Sequence, residues 1–174
     1  MRREMAEGCG ILRRMFDETN EPATRTCDVL IIEDDPTQGE ELACYLKRAG
    51  LKVEATTSAS LAIHTIGDLR PKVALIDYNL PELDGVTVAE RVRRLSPGTA
   101  MIMMSGRIEG LPDITLASTG IFAFMNKPVS LGALRQAVLK IIRTTAQNGL
   151  PPLVPRKKLF SFPFAALGFT RNGI

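Results

Sequence analysis

Four short apolar runs punctuate the middle of the chain: Val29–Ile32, Val73–Ile76, Met101–Met104 and Ile121–Met125. A weaker run, Lys52–Thr56, follows Gly50. The four apolar runs do not alternate apolar with polar, as expected for strands buried on both faces of a parallel sheet. Between the runs the apolar residues recur at helical spacing. Leu42, Tyr45, Leu46 and Ala49 share one face of a first helix, which Pro36 can start and Gly50 can stop. Ser58 is placed to cap a second helix carrying Leu61, Ile66 and Leu69. Val86, Val88, Ala89 and Val92 mark a third, and Leu131, Leu134, Val138 and Ile141 or Ile142 mark the last. The stretch Ile108–Thr119 is the weakest helical pattern, because Gly110 and Pro112 delay its start.

Strands that alternate with helices imply right-handed crossovers and a three-layer α/β sandwich. Five strands in about 120 residues fit a flavodoxin-like, doubly wound parallel sheet of order 2-1-3-4-5. In such a sheet, function gathers beyond the carboxyl ends of the strands, at the topological switch point. Strand one runs into Glu33, Asp34 and Asp35, and strand three into Asp77. Carboxylates converging there would repel by kilocalories at close range without a cation. Oxygen ligands select a hard ion, Mg²⁺ or Mn²⁺. Strand four ends in the hydroxyl of Ser105, and strand five is followed by Lys127 and Pro128. Metal, ammonium and hydroxyl together make an anion site, in which an aspartate can attack phosphorus and form an acyl phosphate.

The strings IIEDDP, LIDYNLPELDG, IMMSG and FMNKP, in that order and spacing over residues 27–147, resemble the signature segments of the bacterial two-component receiver domain, as in single-domain chemotaxis regulators. The resemblance implies Asp77 as phosphoacceptor, with Lys127 and Ser105 assisting. It implies Asp34 and Asp77 as metal ligands with the carbonyl of Asn79, and Glu33 acting through water. It also implies a cis bond between Lys127 and Pro128, and Phe124 as a switch aromatic that moves together with Ser105 after phosphorylation. Gly106 leaves the cleft open, and Asn79 and Arg107 flank it. Asp84 and Gly85 read as a turn and helix start, and Asp35 as a helix cap. His64 reads as a surface residue, Tyr45 as a core-edge aromatic, and Met101, Met103 and Met104 as strand core.

Outside this region lie a charge-balanced leader, residues 1–26, expected to be flexible with a short helix near Ile11–Phe16, and a tail, residues 148–174. The tail carries three prolines, then Arg156, Lys157 and Lys158 and four phenylalanines. It is expected to pack on its own domain or remain unstructured rather than to contact a membrane, since Pro163 and Gly168 spoil an amphipathic helix. No effector domain is expected after the receiver.

The formal charge of the whole chain is only +3, so direct DNA binding is not expected. Three cysteines without metal or redox spacing, no long apolar run and no secretory signal pattern suit reduced thiols and the cytoplasm. The implied partners are a sensor histidine kinase or histidine phosphotransfer protein and an unidentified downstream protein, with homodimerisation left open. The chain is read as a non-enzyme beyond its own phosphorylation and slow dephosphorylation. Two rivals remain. One is a receiver-like binding module that does not use phosphorylation. The other is a haloacid-dehalogenase-type phosphatase, which would need an acid where Asn79 stands and a nucleophile after the first strand.

Overall fold

The computed structural model describes residues 27–106 and 121–148. Five strands, β1 (Val29–Ile32), β2 (Val53–Thr56), β3 (Val73–Asp77), β4 (Ala100–Ser105) and β5 (Ile121–Asn126), pair in parallel in the order β2-β1-β3-β4-β5. Four helices are described: α1 (Pro36–Arg48), α2 (Ala59–Leu69), α3 (Gly85–Leu95) and α4 (Leu131–Asn148). The expected weak helix at Ile108–Thr119, the leader helix, Arg107 and most of the tail lie outside the described residues.

Side chains leave the sheet alternately, so β1, β3, β4 and β5 feed two cores, while edge strand β2 contributes Val53 and Ala55 to one of them. Leu30, Ile32, Ala74, Ile76 and Met103 pack against Ala62 and Ile66 of α2 and Val88, Ala89 and Val92 of α3. Val29, Ile31, Leu75, Ile102 and Met104 pack against Leu42 and Leu46 of α1 and Leu134, Val138 and Ile141 of α4. This is the expected three-layer sandwich. Met101, Met103 and Met104 are fully buried, Tyr45 lies at the core edge, and His64 is on the surface, as the sequence implies.

Helix ends follow local chemistry. Asp35 caps α1: its Oδ1 accepts from Thr37 N at 2.8 Å, and Pro36 takes the first turn, where no N–H is needed. Gly50 ends the segment at φ +83°, with Gly50 N donating to Lys47 O and Leu51 N to Leu46 O, a Schellman closure. Ser58 caps α2 through Leu61 N at 3.2 Å. The apolar face of α2 differs from expectation. Leu61 is 41% exposed, and the buried positions are Ala59, Ala62 and Ile66. The small alanines let α2 approach the sheet closely, and Leu61 falls outside their stripe.

One irregularity lies between β4 and β5. Met101 pairs with Ile121, but Ile102 pairs with Ala123, so Phe122 is an extra residue on the edge strand. Alternation breaks there. Phe122 and Ala123 both enter the α1/α4 core, while Ile121 and Phe124 both enter the α2/α3 core.

Candidate functional site at the carboxyl edge of the sheet

The register brings the functional ends of four strands to one edge. Ile32 pairs with Ile76, Asp77 with Met104, and Ser105 with Asn126. Glu33, Asp77, Ser105 and Lys127 therefore emerge side by side. Carboxylate oxygens of Glu33, Asp34 and Asp77 lie within 4.8 Å of one another.

The centre of the cluster is the Lys127 ammonium. It donates to Glu33 Oε1 at 2.7 Å and to Asp77 Oδ2 at 2.8 Å. The two carboxylates are nearly sealed, with side-chain exposures of 1% and 5%. Asn79 N donates to the other oxygen, Asp77 Oδ1, at 3.3 Å. Ser105 is buried, and its carbonyl accepts from Lys127 N at 2.9 Å, which anchors the lysine at its backbone. The Lys127–Pro128 bond is cis. Asp34 is exposed at the mouth, as is Asn79. Phe124 is buried, facing Met103 across the β4–β5 register.

Electrostatics follow from burial and company. Desolvation raises the Glu33 pKa, Lys127 opposes that shift, and the negative neighbours Asp77 and Asp34 add to it. Burial pulls Lys127 down, but its bonds to Asp77 and Glu33 outweigh this and leave its pKa raised. Of the three clustered carboxylates, Glu33 and Asp77 bond the one ammonium, and Glu33 Oε2 is buried without a hydrogen-bond partner. An orphaned buried oxygen beside a carboxylate surplus fits a hard divalent cation.

Gly85 secures the back wall. A Cβ there would stand 2.5 Å from Asp77 O, 2.8 Å from Tyr78 Cα and 2.9 Å from Met103 Sδ. Only glycine allows α3 to start this close to the Asp77 backbone. Asp84 caps that helix, accepting from Thr87 N at 2.9 Å and from Thr87 Oγ1 at 2.8 Å. The turn-and-start reading of this pair thus holds, but it leaves out the contact with Asp77. A further link escapes the sequence pattern: Glu82 Oε2 accepts from Ser60 N at 3.0 Å and ties the β3–α3 loop to the first turn of α2. Its only signal was an acid in a loop. At Gly106, by contrast, an added methyl group meets nothing within 4 Å.

The fold agrees with that of other chains. A family model described as the response regulator receiver domain matches residues 29–139, and the chain belongs to that family. It is thus a receiver domain of the two-component response regulators. Similar curated proteins include the transcriptional regulatory protein CseB of Streptomyces coelicolor, 29% identical over 70% of this chain and 51% of that protein. Another is transcription factor SKN7 of Saccharomyces cerevisiae, 28% identical over 71% of this chain and 20% of that protein. The chain therefore spans between a fifth and a half of the length of these relatives. A CheY-like receiver domain protein from Methanospirillum hungatei JF-1 shares the fold, with a TM-score of 0.67 and 24% identity, covering 71% of this chain and 99% of that one. Receiver domains belong to regulators rather than to substrate-turning enzymes, and they generally bind Mg²⁺ in an acidic pocket. Among the described residues, no helix is long and apolar enough to cross a membrane.

Proposed function

We propose that this receiver takes a phosphoryl group onto Asp77 and that the acyl phosphate changes its partner-binding surface. The observation that carries the reading is the lysine bridge: Lys127 holds Asp77 and Glu33 together beside exposed Asp34. The donor is a phosphohistidine on a sensor kinase or phosphotransfer protein. A carboxylate oxygen of Asp77 attacks phosphorus, the P–N bond breaks, and the imidazole leaves with its electron pair and takes a proton from solvent.

Lys127 compensates charge on the transferred group, and Ser105 supplies a hydrogen bond to one of its oxygens. Asp34, Asp77 and the Asn79 carbonyl, with Glu33 through water, would hold Mg²⁺ or Mn²⁺, which supplies further neutralisation of phosphoryl oxygens. The new group carries about −1.5 to −2 charge. Ser105 and Phe124 respond to it, and partners that prefer the altered face shift the population. Self-phosphorylation from small donors and slow self-hydrolysis complete the chemistry. We assign residues 27–147 to the receiver, flanked by a leader and a tail, and place the protein in the cytoplasm. Its output is protein contact rather than direct DNA reading.

Labelling by acetyl phosphate with Mg²⁺, followed by mass spectrometry, tests this. Asp77→Asn is expected to abolish the label, whereas Lys127→Ala should accept it yet fail to switch partner binding. A label that persists elsewhere in the Asn variant would remove Asp77 as acceptor. Turnover of a generic phosphate monoester would favour the phosphatase alternative and is expected to be absent.

A further inference from the structure

The first turn of α2 is bonded to two sides of the carboxylate cluster. On one side, Glu33 N donates to Thr56 O at 3.1 Å, so the end of β2 holds the Glu33 backbone. The turn that follows is closed by Ser58 N, which donates to Thr56 Oγ1 at 3.2 Å. Ser58 then caps α2. On the other side, the β3–α3 loop leaves Asp77 through Asn79, whose N–H bonds Asp77 Oδ1, and reaches Glu82 three residues later. Glu82 Oε2 accepts from Ser60 N at 3.0 Å. A chain of contacts therefore runs from Glu33, through the end of β2 and the start of α2, to the loop that carries Asn79.

Glu82 serves the helix as well as the loop. The first four N–H groups of a helix lack partners within it. Ser58 Oγ accepts from Leu61 N, and α2 has no acid in its own first turn. Glu82 supplies, from another element, the negative charge that a helix start favours. The Ser60 hydroxyl and N–H, with the Ser58 hydroxyl, hold its carboxyl below the ordinary glutamate range. The loop is pinned at its base, where Gly85 N donates to Tyr78 O, and by the buried side chain of Leu80. Glu82 ties its outer part to α2.

We infer that Glu82 is a positioning residue for the cation: through Ser60 it fixes the loop carrying the Asn79 carbonyl relative to Glu33. It acts through the loop rather than on the ion. The inference rests on the proposed ligand set of Asp34, Asp77 and the Asn79 carbonyl.

Mn²⁺ binding to the full chain, read as loss of the free-ion electron paramagnetic resonance signal, tests this. Glu82→Ala should raise the dissociation constant about three- to tenfold, at or below the roughly 10- to 100-fold typical of groups that bond a metal ligand directly. The Ser60 amide should exchange faster in the same variant. Glu82→Gln keeps an acceptor oxygen but loses the charge, and it should bind nearly as well as the unaltered chain. Asp28→Asn, which loosens the opposite end of the sheet, should leave the constant unchanged. Glu82 is exposed, so the fold should survive, and circular dichroism checks this. An unchanged constant in Glu82→Ala, or unchanged Ser60 exchange, would overturn the positioning role while leaving the ligand set standing. So would a Gln variant as weak as the Ala variant, which would assign the effect to charge. Equal weakening in Asp28→Asn would assign it to general stability and equally overturn it. If the unaltered chain takes up no Mn²⁺, or Asp34→Asn binds as tightly, the ligand set fails and the inference falls with it.

Discussion

Single residues decide how far the site tolerates change. Gly85 is the strictest. Its missing methyl would enter the space held by the Asp77 carbonyl, the Tyr78 backbone and the Met103 sulfur, and two of those three are main chain. Gly85→Ala is expected to destabilise the domain by roughly 1–3 kcal/mol, the usual range for overpacking, and to slow acetyl-phosphate labelling because Asp77 is displaced. Urea melts together with labelling rates measure both. The cysteines give a second contrast. Burial pushes the Cys27 thiol up to about 11, and its Sγ lies 3.1 Å from Val29 O, whereas Cys44 is exposed on α1. At pH 8 iodoacetamide should modify Cys44 and spare Cys27 in the folded protein. The sign for stability follows. The folded state holds the Cys27 proton more tightly than the unfolded chain, so its contribution is intact below the unfolded thiol pKa of about 8.5 and declines as pH rises from there toward 11. The cluster itself was legible, since Asp77 and Ser105 end their strands and Glu33 and Lys127 directly follow theirs. The crowding at Gly85 was not, because it depends on how closely α3 approaches β3.

At the scale of elements, caps and register carry the design. Pro36, Ser58 and Gly50 announced their helix ends in the sequence, and each occupies the position its chemistry favours. Asp84→Ala would leave Thr87 N without its acceptor and should cost about 1 kcal/mol, read from chemical denaturation. The Asp28–Lys72 pair joins the starts of β1 and β3. Burial opposes ionisation of Asp28, but the Lys72 and Lys52 hydrogen bonds prevail and hold its pKa below the usual value. Its contribution is therefore present above the ordinary aspartate range, near pH 4, and disappears as pH falls below it. Asp28→Asn should lower the denaturation midpoint at pH 7, and the gap should narrow below pH 4. Which face of α2 is buried could not be read from apolar residues alone. Leu61 looked like core, yet the sheet packs against alanines, whose small size permits the approach.

For the whole molecule, the three layers were predictable because five apolar runs alternate with helical patterns, a combination with few packing solutions. The groove at the opposite end of the sheet, lined by Arg70, Lys72 and Leu95, was not, since it arises where the loops entering β3 and β4 meet. The surplus of carboxylates gives the folded protein a thermodynamic handle. If the cluster binds Mg²⁺ only when folded, the cation must stabilise the fold, by roughly 2.7 kcal/mol at a hundred times the dissociation constant. Thermal melts should rise with Mg²⁺, return with chelator, and lose this response in Asp34→Asn.

The extra residue in β5 also changes what an evolutionary or engineered deletion would do. Losing one residue inside a strand ordinarily inverts everything downstream. Phe122, however, is supernumerary to the ladder. Its removal would restore simple alternation and leave Phe124 and Lys127 in phase with Asp77, at the cost of one ring from the α1/α4 core. The carboxylate edge is thereby insulated from a length change that would scramble any other strand of the sheet.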